Sequence, residues 1–127
     1  MNILFYVEPL TERDSPAWKR GWVVLVEMMI ASLQRDQPDA RFCCVVGDGL
    51  EDEARTRLRG CGIAVIRHTE LVPRFGSGAL LISTMWYKGA SREALAGMGT
   101  TLKAHLDGFV PDVCITFSPA PFVSTVF

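Results

Sequence analysis

Four short apolar runs, at residues 3–7, 42–46, 63–66 and 113–117, are spread along the chain with helical patterns between them. None alternates apolar with polar residues. A strand with one wet face alternates, so unbroken runs predict strands buried on both faces, as in a parallel sheet covered by helices. The first run starts at once, Met1-Asn2-Ile3-Leu4-Phe5-Tyr6-Val7, which predicts an intracellular α/β domain that begins on its own strand.

The segments between the runs read as helices. Ser15-Pro16 is an N-cap followed by proline at the first helical position, and Trp18, Trp22, Leu25, Met29 and Leu33 follow at spacings of three and four. Val26 and Ile30 widen that stripe, and Gln37-Pro38-Asp39 ends the helix. A second helix is expected after Asp48, its cap, with Glu51, Asp52 and Glu53 early and Arg55, Arg57 and Arg59 late, the order the helix dipole favours. Only Leu50, Ala54 and Leu58 point inward, and Gly60 supplies the exit. A long connection from His68 to about residue 90 precedes a third helix marked by Leu95, Met98, Leu102 and Leu106 and closed by Gly108. Pro111-Asp112 leads into the fourth run. With right-handed crossovers, this order gives an α/β fold: a Rossmann-like parallel sheet flanked by helices, strand order 3-2-1-4. Ser118-Pro119-Ala120-Pro121 and the residues after them read as a new helix just starting. Residues 1–127 are therefore expected to be the N-terminal piece, truncated at its C-terminus, of a longer enzyme.

Composition narrows the class. Hydrophobic residues make up 49% and charged ones 21%, which is globular, and a net charge of −1 gives no overall attraction to nucleic acid. No run reaches the roughly 18 apolar residues of a membrane span, and the N-terminus lacks a signal peptide's basic start and cleavage site. The four cysteines, Cys43, Cys44, Cys61 and Cys114, fit neither a zinc spacing nor a disulfide framework, and read as small buried hydrophobes in a reducing compartment. Neither a metal nor a bound cofactor is expected.

In open parallel sheets, ligands bind beyond the carboxyl ends of the strands, near the point where strand order reverses. The loop after the first strand has no Gly-x-Gly-x-x-Gly and no P-loop lysine, which disfavours dinucleotide binding and P-loop phosphate transfer. It carries Glu8, Glu12 and Asp14, then Lys19 and Arg20 in the first helical turn. Cations there oppose the helix dipole unless an anion is near. Lys19 and Arg20 either contact a phosphate or acidic sugar, or pair with Glu12, Asp14 or Glu27. Glu8 is placed to act as a general base or to hold its loop, and Asp14 is a second carboxylate with the same ambiguity. His68 closes the third strand at the same rim, a candidate base or donor to a sugar or phosphate. His105, late on the third helix, reads as a surface residue suited to the helix dipole. Ser118 follows the fourth strand and can contact a ligand, but no Gly-x-Ser-x-Gly elbow accompanies it.

The stretch from Arg74 to Lys88 puts apolar and aromatic residues into a loop-rich region with basic residues at both ends. Trp86, Tyr87 and Lys88 can dock at a membrane interface or cradle a lipid-linked substrate. The other reading is an extra helix packed on the core or on a further domain.

Three features together resemble the N-terminal half of a GT-B glycosyltransferase of the bacterial surface-polysaccharide type. They are the immediate Met1-Asn2-Ile3-Leu4-Phe5-Tyr6-Val7 start, the long helix after the first loop, and Pro111-Asp112-Val113 leading a strand that leaves through Ser118-Pro119. The resemblance implies transfer of a sugar from a nucleotide-sugar donor to a glycan or lipid-linked acceptor. It makes residues 1–127 the acceptor-side domain, with the donor held mainly by a second domain. It implies Glu8, Asp14 and His68 for catalysis and acceptor contact, a cytoplasmic location at the inner face of the membrane, and an inactive isolated chain. The glycine-rich first loop of some members is not matched; only Gly21 is present. An unfinished sheet would also invite self-association. The alternative class is a non-catalytic Rossmann-like interaction or signalling module. A receiver domain fits poorly, since the third strand ends in Arg67-His68 where a phosphoacceptor aspartate would stand.

Overall fold

A computed structural model describes residues 1–7, 16–67, 70 and 92–117, without the side chains of residues 16–19, 48 and 92–95. Its elements are β1 (Asn2–Tyr6), α1 (Pro16–Asp36), β2 (Arg41–Val46), a 3-10 turn (Asp48–Leu50), α2 (Glu51–Arg57), β3 (Gly62–Val65), α3 (Arg92–His105) and β4 (Val113–Thr116). The four strands form one sheet in the order β3-β2-β1-β4, and every pairing is parallel. The α/β fold and its strand order are those the sequence predicts.

Alternation along the strands divides the interior in two. Ile3, Phe5 and Val7 of the first strand and Phe42, Cys44 and Val46 of the second pack with Val23, Val26 and Ile30 of α1 and with Leu50, Ala54 and Leu58 around α2. Leu4, Tyr6, Cys43, Val45 and Ala64 point the other way and are also buried, as are Met98, Leu102 and Leu106 at α3. A fully buried side chain of this size contributes about 1.5–3 kcal/mol, so β1 and β2, sealed on both sides, dominate the core.

Two expectations need correction here. β3 and β4 are not sealed like the central pair: Val113 is 41% exposed, and Cys114 and Ile115 are only half-buried. β4 is an edge among the described strands, so its unbroken apolar run reflects a position only partly covered. In α1, Leu25 is exposed, while Val23, which the stripe omits, is completely buried. Residues 22–26 and 28–30 are all apolar, so periodicity alone does not fix which side faces inward. Trp22, Met29 and Leu33 pack against the core as expected.

The second helix also starts differently. Asp48 opens the 3-10 turn, and Leu50 stands at the N-cap of α2 with no side-chain cap hydrogen bond. Leu50, Ala54 and Leu58 are nonetheless its buried residues, and Gly60 leaves with φ +82°. Gly108 (φ 80°), after Asp107 (φ 49°), ends the turn that follows α3.

At the amino ends of the strands, a clasp joins β1 to the chain entering β4. The Asn2 N–H donates to Asp112 Oδ2 at 2.7 Å, the Asp112 N–H donates to the Asn2 carbonyl at 2.8 Å, and Asn2 Nδ2 donates to the Val110 carbonyl at 2.9 Å. Arg41 N–H donates to the Met1 carbonyl at 2.9 Å on the other side.

Candidate functional site

At the carboxyl edge, the ladder runs one residue past β1 and β3. Val7 N–H donates to the Val45 carbonyl and Ile66 N–H to the Val46 carbonyl, both at 2.9 Å. Val7, Gly47, Arg67 and Phe117 are thus the residues from which the chain leaves the sheet on this side. Tyr6 and Thr116 are register partners, so β1 and β4 end side by side. β2 lies on one side of β1 and β4 on the other, so the strand order reverses here, which makes this the switch point of the fold. Behind it, the Trp22 and Phe117 rings meet at 5.0 Å with a 43° tilt, packing α1 against the end of β4.

Glu8, Asp14, His68, Ser118, Trp86, Tyr87 and Lys88 all lie outside the described residues. By sequence, Glu8 directly follows Val7 and Ser118 directly follows Phe117, so both are joined to strands that end at the switch point. Lys19 belongs to α1 by its backbone only. Arg20 is described: it is exposed, and its Nε lies 3.0 Å from Glu53 Oε2. Of the partners expected for it, Glu12 and Asp14 lie outside the described residues, and Glu27 pairs with Arg57 at 3.5 Å. Arg57 Nε also reaches Glu53 Oε1 at 3.1 Å. Glu53 accepts from both helices and ties α1 to α2.

The sequence gives no hint of a second polar constellation. His105 is half-buried, with Nδ1 2.8 Å from the Thr101 carbonyl and Nε2 3.0 Å from Glu70 Oε1. The other carboxylate oxygen, Glu70 Oε2, accepts the Arg67 N–H at 2.6 Å. Burial pushes the Glu70 carboxyl up, but the Arg67 N–H, the His105 hydrogen bond and the positive charges of His105 and Arg67 together pull it lower, and the net position is below the ordinary value. His105 is thus no free surface residue, and its partner lies too far away in sequence for any local pattern to announce it.

An open cavity of about 490 Å³ lies against Arg41, Cys43, Gly62 and Ala64 on the sheet and His105 and Asp107 at the end of α3. It reaches Ala40 and Gly60, at the amino ends of β2 and β3, so it stands away from the edge where parallel sheets bind ligands. Arg41 lies 5.9 Å from the Phe109 ring centroid and closes one side. We therefore place the candidate site at the switch point and treat this cavity as the gap beside the last turn of α3.

The cysteines sit where burial raises their thiols. Burial pushes Cys43 up to about 11. Burial, with the neighbouring Cys43, pushes Cys61 up to about 12. Burial also raises Cys44, well above the thiol range, and Cys114. Raised thiols of this kind carry little thiolate at neutral pH and are weak nucleophiles. Among the described residues no cluster of three or more His, Cys, Asp or Glu is placed to hold a metal ion, and no helix is long and apolar enough to cross a membrane.

No protein-family model matches this chain, and comparison with curated proteins and with solved structures likewise gives no match.

Proposed function

We propose that this chain is the acceptor-side domain of a GT-B type glycosyltransferase, moving a sugar from a nucleotide-sugar donor to a glycan or lipid-linked acceptor. The observation that supports this reading is the parallel sheet in the order β3-β2-β1-β4, with β1 and β4 ending side by side. A switch point of this kind is where such sheets hold small molecules. Glu8, Asp14 and His68 are the candidates to take the acceptor hydroxyl proton, while the leaving diphosphate is stabilised by a second domain. Lys19, Arg20 and Ser118 are the candidate substrate contacts, and Trp86, Tyr87 and Lys88 the contacts to a lipid carrier at the cytoplasmic face of a membrane.

The sequence likeness itself argues less than the fold does. Asp112, in the Pro111-Asp112-Val113 lead, holds Asn2 at the amino end of the sheet, opposite the switch point.

The test is an NMR titration with acceptor glycans, following the amides of Val7, Gly47, Arg67 and Phe117. Saturable shifts confined to these amides support the reading. Shifts absent from the rim, or equal shifts with unrelated polyols, would sink it. In a protein carrying both domains, single replacement of Glu8, Asp14 and His68 should depress kcat at one of the three. Normal kcat in all of them would remove the base assignment.

A further inference from the structure

The outward side of α1 is apolar where a surface helix is ordinarily polar. Gly21, Val24, Leu25 and Met28 stand at spacings of three and four, opposite the side that carries Val23, Val26 and Ile30 into the core. Leu25 is 39% exposed, Met28 is 64% exposed and Val24 is half-buried. No charged residue falls among these four positions. Arg20 and Glu27 lie on the flank of the patch, where they meet α2.

Gly21 is a second observation. It sits inside α1, where glycine costs about 1 kcal/mol against alanine. Nothing in the monomer calls for it, because a Cβ at this position would meet nothing within 4 Å. A helix glycine with open space before it lets another backbone come close.

The flank points to what covers the patch. Arg20, Glu53, Arg57 and Glu27 form a connected row through contacts of 3.0, 3.1 and 3.5 Å, with charges running plus, minus, plus, minus. A row whose two ends carry opposite charges complements its own reversed copy. Two α1 helices crossing head to tail, about a two-fold axis between Val24 and Leu25, place Gly21 of each against Met28 of the other. The same rotation sets the Arg20 end of one row beside the Glu27 end of the other. A parallel pairing would put like charges together.

We propose that the outward face of α1 is the contact surface of a homodimer, covered by the same face of a second copy of this chain. The dimer is independent of the transferase reading and leaves the open edge of the sheet unused. Two helical turns bury less than the roughly 800 Å² per partner of a standard interface, so the dimer is weak, half-formed on the order of 0.1 mM.

The experiment is sedimentation equilibrium of the chain from about 10 µM to about 1 mM, a range that brackets that constant. The weight-average mass should rise from 14.0 kDa toward twice that value. Met28→Glu buries a charge in the contact and should raise the dissociation constant about tenfold or more. Gly21→Ala should act in opposite directions: a higher urea midpoint for the monomer, and association weakened about threefold or more. A mass that stays at 14.0 kDa throughout would overturn the dimer. Association that survives Met28→Glu, or that Gly21→Ala leaves unchanged, would overturn its placement on α1.

Discussion

Asn2 and Asp112 hold each other by reciprocal hydrogen bonds across 110 positions of sequence: each donates its own backbone N–H, one to a carboxylate and the other to a carbonyl. The first strand and the last described strand are thereby fixed in register at one end. Their other ends, at Tyr6 and Thr116, follow from that clasp because a parallel ladder admits one spacing.

Asp112→Ala should destabilise the fold by about 1 kcal/mol, the net worth of a hydrogen bond to a charged acceptor discounted for exposure. Asp112→Asn should lose less, since its side-chain carbonyl still accepts from Asn2. Urea midpoints of the two variants against the parent measure this. An Asp112→Ala midpoint equal to the parent's would mean that the clasp contributes no stability.

Met98 is completely buried, and Met28 is 64% exposed. Met98→Ala should cost about 2–5 kcal/mol through the cavity it leaves. Met28→Ala should stay within about 0.5 kcal/mol of the parent. Chemical denaturation of both variants tests whether α3 is a true part of the core.

Glu53 accepts from Arg20 and Arg57, one on each of two helices. Glu53→Gln should lower stability by less than about 1 kcal/mol, and the difference should shrink in high salt. A larger, salt-independent loss would show that packing, not charge, is disturbed.

The lowered carboxyl of Glu70 has a signed consequence for acid stability. A group that is more acidic in the folded chain contributes stability above its unfolded value, near 4.5, and that stability is lost as pH falls through the lower folded value. Urea midpoints at pH 5, 4 and 3 should therefore fall more steeply in the parent than in Glu70→Gln. Parallel curves would contradict the lowered carboxyl.

Cys43 and Cys44 should resist iodoacetamide at pH 7.5 until the chain is unfolded. Mass spectrometry of tryptic peptides, with and without denaturant, reads this out. Rapid labelling of either in the native chain would mean that the sheet opens locally.

Much of the architecture was legible in the sequence because the apolar runs are unbroken and the crossover rule leaves few topologies. The inner face of α2 was legible because only Leu50, Ala54 and Leu58 are apolar enough to face in. The inner face of α1 was less so, since apolar residues surround most of its circumference between Trp22 and Ile30. The incomplete cover of β4 was not legible because an apolar run looks the same at a sheet's edge as at its centre. Glu70 and His105 escaped notice for a different reason: each is ordinary alone, and only the path of α3 back across the sheet brings them together.

The place of β1 between β2 and β4 bears on the order of events during synthesis. β1 leaves the ribosome first, and β2 can pair with it soon afterwards. Its other edge has no described partner until Val113–Thr116 emerges. At about 5–20 residues per second, the chain from Val46 to Val113 takes on the order of 3–13 s to make, so a sticky central strand stays half-covered for that time. A nascent chain stalled within that span exposes an edge strand, which is the surface chaperones and neighbouring nascent chains compete for.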